Sequence, residues 1–224
     1  MIEALWDCGQ VLLRDSTAGL PVLKWFPAMR LALLARIPEI LTVRDPVEPC
    51  DVIFVLAGLP ERKTYGLKLL RGGITPRLVL SVARFEIRKF AASPLGDPTM
   101  IDRARSLPPG QRHLFVEATA NRATWQPAEL DGSGTFAELW AFARSLPEAG
   151  LRIGIVSTTI HTRRVRLCCR RIRRLRPCQI RYYPVPEACS SFRESDWWRS
   201  VFGRKYVLSE LLKLAWYFLR FRPR

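Results

Sequence analysis

The segment "DVIFVLAG" (residues 51–58) limits the folds open to this chain more than any other stretch. It is a short apolar run, rich in β-branched residues, in which polar and apolar positions do not alternate. A strand with one wet face would alternate; a run like this suits a parallel strand covered on both faces. Parallel neighbours need crossover connections, usually helical, and the sequence supplies them. In "LPERKTYGLKLLRGG", Pro60 is placed to open a helix and Gly72-Gly73 to close it. Four further strands are predicted: "RLVLS" (77–81), "RHLFVEA" (112–118), "RIGIVST" (152–158) and "QIRYYPV" (179–185). Between them, "GTFAELWAFARSL" reads as a helix with Thr135 and Glu138 at capping-box spacing. Thr162 to about Arg176 reads as another. The fold class expected is α/β: a three-layer α/β/α sandwich around a mostly parallel, Rossmann-like sheet of about five strands. The span Arg84–Arg112 carries the weakest pattern, and one short helix is expected in it.

A chain of 224 residues suffices for one sizeable core. The α/β domain is placed at residues 46–224, after a helical, amphipathic extension over residues 1–45. There "MRLALLARIPEIL" sets Leu31, Leu34 and Leu41 at roughly helical spacing, and Pro46 and Pro49 make "RDPVEPC" a turn. The charge balance points to partners: 36 Lys+Arg against 20 Asp+Glu leave a formal +16. Such a field favours phosphates, nucleic acid or an acidic membrane surface. The six cysteines show no CxxC spacing, and with two histidines they argue against a structural zinc site and a disulfide framework. A reducing compartment is the expectation, hence a cytoplasmic protein, peripheral on the inner membrane if it meets one. Glu3 and Asp7 stand where a secretory signal would be basic. The apolar run Tyr206–Phe221 is broken by Glu210, Lys213 and Arg220 and makes a poor span.

The region "IVSTTIHTRRVRLCCRRIRRLR" (155–176) raises the functional question. Val165, Cys168, Cys169, Ile172 and Leu175 form one apolar stripe on the expected helix, and arginines cover the rest. That basic face is either plain solvated surface or a contact for RNA, DNA or anionic lipid. His161 falls in the turn after the fourth strand. Ligands of open α/β sheets bind outside the carboxyl ends of the strands. Gly58, Glu61 and Arg62 follow the first strand and Ser81 and Arg84 the second. Glu117 ends the third, Ser133 and Thr135 open the next helix, and Ser157 and Thr158 precede His161, with Arg164 one turn on. The convergence of Arg62, Thr135, His161 and Arg164 on one rim predicts a site for an anionic ligand. In that site His161 would give or take a proton if chemistry occurs.

These residues also carry a family likeness. "DPVEPCDVIFVLAG", "ERKTYGLKLLRGG", "GTFAEL" and "VSTTIHTRRV" resemble motifs of the YdcF/SanA/ElyC-like proteins, the "domain of unknown function 218" group. Arg62, Gly66, Leu69 and Gly73 keep the spacing of that family's first helix, and His161 and Arg164 fall on its histidine and arginine. Ala57 stands where the family often has glycine, "SVARF" lacks the Ser-Gly-Gly after strand two, and Arg163 replaces a common proline. The resemblance implies a Rossmann-like domain, a role in bacterial envelope biogenesis, and S-adenosylmethionine as a candidate cofactor. The residues themselves give a methyltransferase little support, since the glycine-rich turn an adenosyl cofactor needs is reduced to Gly58.

Three function classes follow. The first is an anionic small-molecule site (nucleotide, S-adenosylmethionine or lipid phosphate) at the strand ends. The second is a non-catalytic protein of anionic membrane surfaces, using residues 206–224, where leucines and aromatics end in three arginines. Nucleic-acid binding ranks last, resting on net charge alone.

Overall fold

A computed structural model describes Leu34 and residues 36–108 and 112–221. Residues Ala35–Arg224 form one compact unit. Leu31 and most of the expected extension lie outside the described residues; residues 36–41 are helical and Leu41 is buried.

Six strands form one sheet: β1 (Val52–Val55), β2 (Leu78–Ala83), β3 (His113–Ala118), β4 (Ala123–Pro127), β5 (Arg152–Ser157) and β6 (Gln179–Pro184). Their order is β4-β3-β2-β1-β5-β6. The pairs β1–β2, β1–β5 and β5–β6 are parallel, while β2–β3 and β3–β4 are antiparallel. Besides the helical residues 36–41, the described residues include α1 (Pro60–Arg71), α2 (Ile87–Ala91), α3 (Thr99–Ser106), α4 (Thr135–Ser145), α5 (Thr162–Cys169) and α6 (Val201–Arg220).

The core explains why β1 shows no alternation. Val52 and Phe54 join one apolar cluster, built with α4, α5 and Tyr217 of α6. Ile53 and Val55 join a second, built with α1, α2 and α3 on the other face. Both sets are buried, so all four positions must be apolar. Phe54 stacks on Phe142 of α4 with ring centroids 4.1 Å apart. Gly66 lets α1 approach β1 closely: a Cβ there would stand 2.5 Å from Val55 Cγ2.

The sheet is thus the expected three-layer sandwich, with four differences of detail. A sixth strand, β4, is present; as an edge strand its residues are exposed or half-buried, and its polar pattern hid it. The weak-pattern span contains two short helices, α2 and α3, and delivers β3 antiparallel to β2. The helix expected to reach Arg176 ends at Cys169. Ile172 is extended (ψ 107°), and a 3-10 turn, Arg173–Leu175, follows. Both arrangements bury Ile172 and Leu175, so the apolar stripe alone did not reveal the break. The Thr135–Glu138 capping box does not form: Gly134 is the N-cap, and both side chains turn to other partners.

Candidate functional site

The chain runs outward from β1 through β2, β3 and β4, then returns across the sheet to β5 on the other side of β1. The junction of β1 and β5 is therefore the point where the winding reverses, the usual ligand position in such sheets. A cavity of about 1330 Å³ opens there. It is lined by Gly58, Arg62, Ser133, Thr135, His161 and Arg164 among others, so six of the ten predicted site residues meet in one space.

Gly58 turns the chain out of β1 at φ +128°, a conformation reserved in practice for glycine. A Cβ there would also stand 2.9 Å from an Arg62 terminal nitrogen. Arg62, in the first turn of α1, folds back over this bend. It donates to the Ala57 carbonyl and, at 2.8 Å, to Thr158 Oγ1. Its Nε is buried without a partner among the described residues. Thr158 also bonds Tyr206 on α6, tying the ends of β1 and β5 to the last helix.

His161 sits in the 3-10 turn between β5 and α5. Its ring is enclosed but not in hydrocarbon: Nδ1 lies 2.7 Å from Ser157 Oγ and Nε2 lies 3.1 Å from Thr135 Oγ1. Burial, with the positive charges of Arg164, Arg62 and Lys213 adding to it, holds the imidazole well below its ordinary pKa. The ring is a neutral strut with both nitrogens engaged. Thr135 also accepts from Arg164, whose remaining donors go to Glu210 of α6, with Nε–Oε2 at 3.0 Å and a terminal nitrogen–Oε1 at 3.1 Å. Ion pair and imidazole thus share one threonine.

The other predicted residues fall elsewhere. Ser157 and Thr158 are completely buried behind the cavity wall. Ser81 is also completely buried and bonds His113 Nε2. Glu61 accepts from Ser191 (2.9 Å to Oγ) outside the cavity. Glu117 stands at the opposite end of the sheet, paired with Arg77, because β3 runs antiparallel.

That same reversal brings in the residue sequence reasoning missed most clearly. His113 begins β3 and so lies on the cavity edge, beside the end of β2. Burial, then the charge of Lys63, lowers its pKa from 6.5 to about 4. Lys63 pairs with Glu86, which also accepts from the Gly58 and Ala83 amides at 3.2 and 3.0 Å. Glu138, the fourth residue of α4, accepts from the Ala57 amide at 2.6 Å. Burial raises its carboxyl above the usual range, against the opposing pull of that amide, Ser81, Arg62 and Lys63.

Each carboxylate lining the cavity, Glu86, Glu138 and Glu210, is therefore already engaged. The basic residues are not all so matched. Arg71, Arg84 and Lys89 line the cavity, are exposed, and pair with no carboxylate among the described residues. The same lining holds Gly132 and Gly134, at φ +102° and +84° before α4; the N-cap Gly134 offers no side chain, and the Phe136 amide donates to Tyr217 Oη at 3.4 Å. The remaining wall is apolar: Leu59, Leu67, Phe85, Phe90, Phe202 and Trp216. Among the described residues no cluster of three His, Cys, Asp or Glu side chains is arranged to hold a metal.

No family model, curated protein or solved structure matches the chain.

Proposed function

We propose that the protein binds an anionic small molecule in this cavity, a phosphate ester bearing an apolar or ring-containing part. One observation carries the reading: the strand-end cavity is lined by cations that pair with no carboxylate among the described residues and by a glycine-bent helix start whose N-cap residue offers no side chain. Free amides at a helix N-terminus, with the helix dipole behind them, favour negative charge. The anion lies against the Gly132–Thr135 turn, with Arg84 and Lys89 supplying charge from the mouth. Arg62 and Arg164, given by the sequence reading as the anion holders, serve here chiefly as struts, since Ala57, Thr158, Thr135 and Glu210 occupy most of their donors. The apolar wall takes the rest of the ligand, which fits a nucleotide or a lipid phosphate; S-adenosylmethionine, a cation at its sulfur, fits the basic side less well.

Where a reaction accompanies binding, Glu138 is the group best placed to move a proton. It lines the cavity and burial raises its carboxyl pKa, whereas the His161 ring nitrogens are both committed. Membership of the YdcF/SanA/ElyC-like group, and an envelope role with it, form part of the same proposal; the meeting of Arg62, Thr135, His161 and Arg164 on one cavity supports it.

The test is a thermal-shift and calorimetric comparison of nucleotides, short polyprenyl phosphates, S-adenosylmethionine and the matching unphosphorylated alcohols. A phosphate-bearing compound is expected to stabilise the protein. Arg84→Ala with Lys89→Ala, both exposed, should then weaken it at least about tenfold, by removing charge-assisted contacts of about 1.5 kcal/mol or more. Equal binding of the alcohols, or an unchanged affinity in the double variant, would overturn the reading.

A further inference from the structure

The last helix presents to solvent a face that a water-soluble fold does not need. Val207, Glu210 and Tyr217 of α6 are buried against the domain, yet Leu208, Leu212, Trp216 and Leu219 on its other side are 58%, 65%, 51% and 59% exposed. A stripe of large apolar side chains of this kind marks an interaction surface. Beside it, between α5 and α6, runs an apolar groove of about 580 Å³ floored by Leu167, Leu211, Leu214 and Phe218. Its rim is cationic: Arg166 and Arg170 stand on it, and neither pairs with a carboxylate among the described residues.

We propose that this face, the outer side of α6 together with the arginine-rimmed groove, seats on an anionic lipid bilayer. Charge selects the occupant. Glu210, the sole acid of α6, is buried in its pairs with Arg164 and Lys213, so Arg204, Lys205 and Arg220 define the charge of the helix surface. Arg220 extends over the Trp216 ring, its guanidinium carbon 5.0 Å from the centroid, which keeps an apolar body and a charged tip together at one level. Leucines flanked by an aromatic ring, lysines and arginines form the pattern of a helix lying in the headgroup region. An anionic bilayer offers apolar depth and negative charge in one plane, and the groove suits a single acyl chain beneath a phosphate held by Arg166 and Arg170. The helix lies along the surface rather than through it: no described helix is long and apolar enough to cross a membrane. Trp216 also lines the strand-end cavity, whereas Leu208, Leu212 and Leu219 stand apart from it.

Flotation of the full chain with phosphatidylcholine vesicles, with and without about one-third phosphatidylglycerol, is the test. Binding is expected to the anionic vesicles alone and to weaken with salt. Leu208→Ser with Leu212→Ser and Leu219→Ser should lower the bound fraction at least about tenfold. Arg166→Glu with Arg170→Glu should do the same by reversing charge, with the circular-dichroism melt of each variant showing that the domain stays folded. No flotation by the wild type, or full flotation by either variant, overturns the proposal. So does a fall in molar mass, by light scattering, in the triple-leucine variant, which would make the face a contact between copies of this chain.

Discussion

Glu210→Gln is the most informative single change, because it removes a charge and keeps a shape. Arg164 is 7% exposed and Glu210 3% exposed. Both oxygens of Glu210 are bound by the guanidinium, with a closest approach of 2.9 Å. The glutamine variant leaves Arg164 buried beside the neutral His161 with no counter-charge; Lys213, half-exposed and 3.2 Å from the carboxylate, adds repulsion rather than relief. Breaking a buried pair from one side costs about 3–5 kcal/mol. The amide can still accept one hydrogen bond, which sets the expectation at about 3 kcal/mol. Urea unfolding followed by circular dichroism should show the midpoint falling by about 1.5 M, for a slope near 2 kcal/mol/M. Arg164→Met with Glu210→Leu removes both charges and should cost less than Glu210→Gln alone. A loss below about 1 kcal/mol in Glu210→Gln, or a double variant equal to the sum of the single variants, would refute the claim that this pair locks α6 to α5.

Two further outcomes are expected. His113 is neutral in the fold with a pKa of about 4 against an unfolded value near 6.5, so the unfolded chain binds a proton first as pH falls. Its contribution is complete above about pH 6.5 and is lost between there and about pH 4, costing about 3 kcal/mol. Unfolding free energies across this range should flatten in His113→Gln, and an unchanged slope would exclude His113 as the source. Native thiol labelling should reach exposed Cys189 quickly and buried Cys50, Cys168 and Cys169 only on unfolding, since burial raises the pKa of all three and pushes Cys168 to about 12; mass mapping of labelled peptides checks this.

The sequence was most readable where burial was symmetric. β1 had to be apolar at all four positions because α4 packs on one face and α1 on the other, and that requirement is written in "VIFV". Gly58 and Pro60 were readable for the same local reason, since backbone geometry acts on them directly. The direction of β3 was not. It is set by how α2 and α3 carry the chain past the edge of β2, and neither helix is long enough to leave a strong period. A parallel β3 would put Glu117 on the cavity edge; in the antiparallel strand that place belongs to His113, since the two occupy opposite ends of one strand. The Thr135–Glu138 spacing was a true signal put to a different use: the cap it could have made was given up for His161, Arg164 and the Ala57 amide. Glu86 left no trace in the sequence and Glu210 only a break in an apolar run, because their partners stand on other elements.

The register of the central strands has a bearing on how the molecule comes into being. Val52 pairs with Ile153 and Val55 with Val156, each across 101 residues (153 − 52, 156 − 55). By contrast β2 and β3 pair across 30 to 40 residues (113 − 83, 118 − 78) and β3 and β4 across 5 to 13 (123 − 118, 127 − 114). Closing the longer loop carries the larger entropic penalty, and during synthesis β5 leaves the ribosome long after β1. The amino-terminal half therefore waits with one side of β1 unsatisfied, and the crevice between β1 and β5 is completed only when the second half arrives. A chain truncated before β5 should retain an adhesive edge and no pocket.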